Sequence, residues 1–155
     1  MFLSTFEKQL DAKRRIVVPA EFRAQLSSHF DGVFCFPSIE FDCIEAGGKD
    51  LFDRYGKMIE GLEFGDPLRT AIETSVRAGM HPLSFDTAGR ITLPDVLCQE
   101  MNLSDWVVVA GMDERFQIWD RDAFHAHRKA QRELARTGMA ELRAQQRVAR
   151  IGSGA

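Results

Sequence analysis

Two short basic turns hold the side chains of this chain that are best suited to chemistry with an anionic partner. Lys13, Arg14 and Arg15 follow Asp11 in the first turn, and Arg90 occupies the second. A guanidinium group donates N–H bonds in a planar fork that fits a phosphate or the O6 and N7 atoms of guanine, whereas a lysine binds phosphate as a point charge. The four cations predict contact with a polyanion, above all DNA.

The two turns belong to an internal repeat with an offset of 75 residues. Segment 11–19 returns as segment 86–94: an acidic residue and a short polar turn precede an Arg, then three strand-forming residues that end at a Pro. Apolar positions stay in step well beyond this signature, as where Phe41 falls on Phe116. The pattern indicates one duplicated unit, and two copies are too few for a solenoid.

The elements that position these turns follow from local patterns. Segments 3–10 and 15–18 flank the first turn and predict a hairpin, and a second hairpin is expected around residues 86–90. A two-stranded ribbon of this kind fits the major groove of DNA. Short helices are expected at 20–27 and 95–101, each after a proline. Further strands are expected at 32–36, 41–46, 80–85, 106–110 and 115–119.

Longer helices are expected outside the repeated core. Apolar residues at three- and four-residue spacing predict an amphipathic helix over 50–63, while segment 67–76 fits a helix or a strand equally well. A helix capped by an Asp at position 120 or 122 is expected to end at Arg136, because Thr137 and Gly138 follow. Helical spacing returns over 139–151, before a terminal Gly-Ser-Gly-Ala that we expect to be disordered.

Charge is distributed unevenly along the chain. The formal net charge is -3, which by itself argues weakly against a nucleic-acid binder. Residues 121–155 hold eight Arg or Lys against three acids, a net of +5, so residues 1–120 carry -8. Basicity is therefore concentrated in the tail and in the first turn.

The composition is that of an ordinary soluble globular protein, with 45% hydrophobic and 28% charged residues. The longest apolar runs are too short to cross a bilayer, and the first residues lack the pattern of a signal peptide, so we expect a cytoplasmic protein without a membrane partner. Cys35, Cys43 and Cys98 are an odd and loosely spaced set, which favours buried hydrophobic positions over disulfides or zinc ligands.

A catalytic site is not indicated. Asp11 and Asp86 are conceivable acid–base carboxylates, but an Asp that opens a tight turn more often accepts backbone N–H bonds two residues on. The four histidines are scattered, and His125 and His127 diverge on a helix instead of sharing a metal. No nucleophile elbow, P-loop or dinucleotide motif occurs. We predict that the protein is not an enzyme and has no cofactor, metal or small-molecule ligand.

The repeated pattern resembles the MraZ family of transcriptional regulators, whose units are similar to the swapped-hairpin DNA-binding domain of AbrB. The family pattern is an Asp, two variable positions, Gly-Arg, a strand and a Pro, followed by an apolar and basic helix. Segment 86–94 fits it fully, and the resemblance covers about residues 1–125. The first copy fits at Asp11, Lys13, Arg15, Ile16, Pro19, Ala20, Phe22 and Arg23.

The first copy departs from the pattern at Arg14, where the family places Gly. If this position requires a positive φ, an Arg there costs about 1 kcal/mol. Alternatively, the turn adopts another type that tolerates Arg. In both cases the side chain adds a phosphate donor.

The resemblance implies an α+β fold in which the two copies interlock as a pseudo-two-fold split β-barrel with outer helices. The corresponding boundaries are 1–75 for the first copy with its following helix, 76–125 for the second copy, and 126–155 for a basic helical tail. It also implies that Arg15 is the principal DNA-contacting residue. Arg90 is its counterpart in the second copy and Lys13 a supporting contact, whereas Arg14 is included for its charge alone.

The resemblance further implies a ring-shaped homo-oligomer, associated with the nucleoid, that binds double-stranded DNA at repeated operator boxes. These boxes would lie upstream of the division and cell-wall gene cluster that includes the regulator's own gene. Two alternatives stay open. One is an antitoxin-like autorepressor with a protein partner, and the other is a barrel enzyme that binds an anionic small molecule near His81 or the Arg turns.

Overall fold

Eight strands and five helices make up the part of the chain that the structure, a computed structural model, describes: residues 1–26 and 30–154. The strands are β1 (Thr5–Gln9), β2 (Arg15–Val17), β3 (Gly32–Pro37), β4 (Ile44–Gly47), β5 (His81–Ser84), β6 (Arg90–Thr92), β7 (Trp106–Gly111) and β8 (Phe116–Asp120). The helices are α1 (Ala20–Leu26), α2 (Lys49–Glu60), α3 (Pro67–Ile72), α4 (Asp95–Glu100) and α5 (Arg121–Ser153). A π-helical segment, Glu73–Arg77, continues α3. Ser27, the expected last residue of the first helix, and His29 lie outside the described residues.

The repeat is visible as equivalent elements in the two copies. β2 buries Ile16, and α1 buries Phe22 and Leu26 on one face, four residues apart. In the second copy β6 buries Ile91, and α4 buries Leu97, which is the equivalent of Phe22 in the repeat. Segment 67–77 is helical throughout, which resolves the choice between helix and strand that its sequence left open.

Strand pairing crosses between the two copies. Six strands form an antiparallel sheet in the order β1-β7-β8-β4-β3-β5, and β2 and β6 form a separate two-stranded ribbon. β1 of the first copy pairs with β7 of the second, with Phe6 opposite Val109, while β5 of the second copy pairs with β3 of the first. Because β1 and β5 are both edges, the described sheet is not closed. The α+β fold of two interlocked tandem copies is thus confirmed, in a split form.

The prediction of a hairpin within each copy is wrong. The first turn does close, since the backbone N–H of Asp11 donates to the carbonyl of Arg15 over 3.1 Å. Beyond the turn the strands separate, and β2 pairs with β6 so that Ile16 lies opposite Ile91. Either pairing satisfies the same backbone groups and leaves the same alternation of apolar residues, so local sequence did not distinguish them.

The largest apolar cluster joins both copies. Phe22 of α1 lies against Phe2, with ring centroids 5.1 Å apart, and against Phe116 of β8 at 5.2 Å. A second cluster is formed by Phe36, Leu51 and Val76, which are at most 2% exposed. It joins β3 to α2 and the π-helical segment.

The three cysteines are buried and free. Their predicted place as small hydrophobic residues is confirmed, and burial raises the pKa of the Cys35 thiol to about 12. Such thiols stay protonated near neutral pH and are poor nucleophiles.

The long C-terminal helix differs from its prediction in two respects. The expected break at Thr137 and Gly138 is absent, and α5 continues to Ser153 through part of the terminal segment expected to be disordered. A single Gly in an exposed helix costs only about 1 kcal/mol relative to Ala, which is too little to stop a helix with strong formers on both sides. Residues Met1–Arg121 form one compact unit, and the residues from Asp122 onward form another. Within the described residues, no helix combines the length and apolar character needed to span a bilayer.

Candidate nucleic-acid interface

Asp11 organises the first turn through its carboxylate. Oδ1 accepts the backbone N–H groups of Lys13 and Arg15 over 2.9 and 2.8 Å, and Oδ2 accepts Nε–H of Arg15 over 2.8 Å. The backbone N–H of Arg14 donates to the Asp11 carbonyl over 3.0 Å. The turn is therefore held by one carboxylate that also fixes the guanidinium beside it.

The second turn repeats this arrangement. Asp86 Oδ1 accepts the backbone N–H groups of Ala88 and Arg90 over 2.9 and 2.8 Å, and Oδ2 accepts Nε–H of Arg90 over 2.8 Å. The interpretation of both aspartates as turn-forming residues is confirmed by these bonds.

Both carboxylates are held in the ionised form. The backbone N–H of the following Arg is the main cause, aided by that Arg's side chain, and it lowers the pKa of Asp11 and of Asp86 below the usual 3.8. At neutral pH each turn thus pairs one carboxylate with one guanidinium, and the pair keeps the arginine in one orientation.

The β2–β6 ribbon brings Arg15 and Arg90 to one surface. Arg15 lies opposite Thr92, and Val17 lies opposite Arg90. Residues opposite one another on antiparallel strands point to the same face, and the intervening isoleucine pair points to the core, so these four side chains share the outer face. The register separates the two arginines by about 7 Å along the ribbon.

Each of these guanidinium groups has donors to spare. Its Nε–H is bound to the turn aspartate, and among the described residues no other partner of the Arg15 or Arg90 guanidinium is present. The side chains are 29% and 32% exposed. The two terminal nitrogens, the pair that binds an acceptor end-on with two hydrogen bonds, are therefore available at the surface.

Lys13 and Arg14 differ in their surroundings. The ammonium of Lys13 is exposed and has no partner among the residues described. Arg14 is half-buried, and its Nε lies 3.5 Å from Oδ1 of Asp95 at the start of α4. Lys13 is thus the more accessible cation, and Arg14 is partly neutralised by an acid of the other copy.

Arg14 has the backbone conformation that the family pattern reserves for Gly. Its φ is 63°, against 75° for the equivalent Gly89. In this left-handed conformation the Arg14 carbonyl accepts the backbone N–H of Leu93 over 2.8 Å, and the Gly89 carbonyl accepts that of Val18 over 3.1 Å. Each turn is therefore bonded to the strand of the other copy, and the first turn does not tilt to another type.

Different side chains pack against these two left-handed residues. A Cβ placed on Gly89 would lie 2.4 Å from Nη1 of Arg23, which itself donates to the Val18 carbonyl over 2.6 Å. Position 98 is the equivalent of position 23 in the second copy, and there Cys98 lines the same small hollow as Arg14. In each contact between the copies a large residue therefore faces a small one: Arg14 faces Cys98, and Arg23 faces Gly89.

Of two hollows in the described part of the chain, neither includes His81, one of the positions suggested for a small molecule, in its described lining. The larger hollow, of about 660 Å³, lies between the N-terminus, α1 and α2, and its described lining includes neither His81 nor the arginine turns. The smaller one, of about 480 Å³, is open and borders Arg14. His81 lies in β5 opposite Cys35.

Three residues near the turns escaped sequence reasoning as site residues: Arg23, Asp95 and Cys98. Arg23 was noted only as part of a motif, and its contact with Gly89 joins positions 66 residues apart. A usable signal existed in the repeat, since positions 14 and 23 both change from Arg in the first copy to a small residue in the second, Gly89 and Cys98.

Comparison with known proteins identifies the relatives of this chain. The family model described as "MraZ protein, putative antitoxin-like" matches residues 1–73 and 78–147. A protein of Phenylobacterium zucineum named "Transcriptional regulator MraZ" is 74% identical over 97% of this chain and 94% of its own length. Proteins of the same name from Caulobacter vibrioides and Pelagibacter ubique are 69% and 34% identical, over 100% and 92% of this chain and 99% and 93% of their own lengths. The chain belongs to the MraZ family.

Proposed function

We propose that this protein is a sequence-specific DNA-binding transcriptional regulator, and that the outer face of the β2–β6 ribbon is its DNA-contacting surface. The observation that carries the proposal is the pair of aspartate-held guanidinium groups of Arg15 and Arg90, aligned on one ribbon with their terminal nitrogens available. The relatives' name, transcriptional regulator, supports this function and not an enzymatic one.

A cationic side chain can discriminate between base pairs only if its orientation is fixed. A guanine presents O6 and N7 side by side in the major groove, and a guanidinium that meets them with two parallel bonds discriminates by about 1–3 kcal/mol. Asp11 holds Nε of Arg15 and thereby limits rotation of the fork. Arg15 is the principal base-contacting residue in this proposal and Arg90 its counterpart, while Lys13 and Arg14 supply phosphate contacts.

A single ribbon is too small to bind DNA tightly. Two or three phosphate contacts give a salt slope of only about -2 to -3, and linked copies raise apparent affinity by about 10² to 10⁴ because later contacts become intramolecular. A ring-shaped homo-oligomer on repeated operator boxes supplies such linkage. We extend the proposal to boxes upstream of the division and cell-wall gene cluster and of the protein's own gene, in a nucleoid-associated protein of the cytoplasm.

The test compares Arg15→Ala, Arg90→Ala and Arg15→Lys for binding to the DNA upstream of the protein's own gene. We expect Arg15→Ala to remove preference for this DNA over a scrambled duplex, and Arg15→Lys to retain charge-driven binding with little preference. The Arg90→Ala variant should lose less. Gel shifts at several salt concentrations measure both the preference for the upstream DNA and the charge-driven binding.

Melting temperature is the control for these variants. Ion pairs at the protein surface contribute little to stability, so the fold should survive loss of the Arg15–Asp11 pair. Undiminished preference in the folded Arg15→Ala variant would refute the assignment of this residue.

A further inference from the structure

Helix α5 carries a second concentration of positive charge, which the ribbon does not use. Its residues from Arg132 to Gly154 are all exposed. Seven cations recur mainly at three- and four-residue spacing: Arg128, Lys129, Arg132, Arg136, Arg143, Arg147 and Arg150. At 100° per residue they fall within an arc of about 100°, so they form one continuous row, here called the basic stripe.

Within the described residues, only one cation of the basic stripe is paired with an acid. Arg136 pairs with Glu133, with 3.2 Å between Nη1 and the carboxylate. Among the described residues the other six cations have no ion-pair partner. Both Glu133 and Glu141 lie outside the arc that the cations occupy.

Such a row destabilises the free helix. Like charges at i and i+4, as in the pairs formed by Arg128, Arg132 and Arg136, each cost about 0.2–0.5 kcal/mol. A solvated helix gains from alternating acids and bases, whereas this arrangement gains most from an external row of negative charge.

The dimensions of the stripe match duplex DNA. From Arg128 to Arg150 the helix rises by about 33 Å, close to one turn of B-DNA. A duplex offers one phosphate per about 1.7 Å of its axis, so several arginines can be neutralised at once without any sequence requirement. A membrane surface fits less well, because the apolar residues of this segment, such as Leu134 and Leu142, have no aromatic companions.

We propose that the basic stripe of α5 binds the phosphate backbone of duplex DNA independently of sequence, as a surface separate from the ribbon. It increases the local concentration of the protein on DNA and lets base-contacting residues sample sequences. This inference does not depend on the assignment of Arg15.

The experiment uses the full chain with Arg143→Gln, Arg147→Gln and Arg150→Gln combined, and a matched variant with Lys at the same three positions. Gln and Lys are both good helix formers, so helix content should be kept, and circular dichroism checks it. Fluorescence anisotropy measures binding to a labelled random-sequence duplex between about 50 and 200 mM salt. Loss of three phosphate contacts should reduce the magnitude of the log–log salt slope by about 2 to 3, while the Lys variant keeps it.

Two further measurements separate the basic stripe from the ribbon and from a lipid-binding surface. The Arg15→Ala variant should retain most random-sequence binding, which distinguishes failure of the ribbon assignment from failure of this one. An unchanged slope in the Gln variant, or an equal reduction in the Lys variant, overturns the proposal. So does a Gln variant that loses binding only to vesicles of anionic phospholipid and not to DNA.

Discussion

The two turns have nearly the same backbone but different side chains. Both use one aspartate to accept two backbone N–H groups and one Nε–H, and in both a turn carbonyl accepts a backbone N–H of the other copy. Their tips read Lys-Arg-Arg in the first copy and Ala-Gly-Arg in the second. Turn shape therefore depends on the aspartate and on the cross-copy bonds, which leaves the residue before the arginine free to vary with its packing partner.

The residue at the left-handed position can vary only together with the size of the side chain that packs against it. Gly89 leaves room for Arg23, whose guanidinium caps the second turn from α1, whereas Arg14 extends where the small Cys98 leaves space. A guanidinium group therefore lies at the left-handed position of each turn. In the first turn it belongs to Arg14 itself, and in the second turn it belongs to Arg23 of the first copy. The first turn concentrates three cations on its own backbone and is the better candidate for phosphate contact.

The largest effect on this comparison is expected from Gly89→Arg. The new side chain must adopt a positive φ and displace Arg23 from the Val18 carbonyl, which together cost about 2 kcal/mol or more. Adding Arg23→Ala reproduces the pairing of the first turn and should recover part of the loss, with a coupling energy of about 1 kcal/mol. Urea unfolding of the single and double variants measures this, and strictly additive losses would contradict size complementarity at this position.

A smaller effect is expected from Arg14→Gly. Relief of the left-handed strain is worth up to about 1 kcal/mol, part of which the greater freedom of Gly in the unfolded chain offsets. The Arg14→Ala variant removes the same charge but keeps the strain, so it should be the less stable of the two. Free energies of unfolding rank the pair, and both variants should lower the salt slope of DNA binding by about 0.9 if Arg14 touches one phosphate. Equal stabilities would mean that the positive φ is not strained.

The smallest effect is expected from removing the charge of either turn aspartate, and it should be alike in the two turns. Because the native pKa values of Asp11 and Asp86 are lowered, the stability they contribute is present above the usual 3.8 and is lost as the pH falls through the native values. Asp11→Asn and Asp86→Asn should each lower the melting temperature slightly at neutral pH, by similar amounts, and the deficit should shrink and vanish as the pH falls below 3.8 and through the native pKa values. A deficit that persists in acid would assign the effect to shape and not to charge.

Local features of this fold were predictable from sequence patterns and the interlocking of the copies from the family resemblance, but the individual contacts between the copies were not. The turn aspartates were recognised because an Asp bonds to N–H groups only two and four residues on. Pairing of β2 with β6 joins residues about 75 positions apart, and alternation of apolar residues is equally compatible with a hairpin. The contact of Arg23 with Gly89 escaped for the same reason, since the change from Arg to a small residue at both repeat positions does not by itself show which residues touch.

The continuous α5 shows the opposite failure, in which a local rule was given too much weight. Gly138 predicts a break by its type alone, but its penalty is small and the flanking residues favour a helix.

The crossed strands have a consequence for how the chain is made. When the first copy leaves the ribosome, β1 and β2 have no strands to pair with, because β7 and β6 are still to be translated. Their apolar residues, among them Phe6 and Ile16, must wait unpaired for roughly the time taken to synthesise another 75–100 residues, several seconds at ordinary rates of translation. The interlocked core therefore cannot be completed before β6 and β7 have left the ribosome.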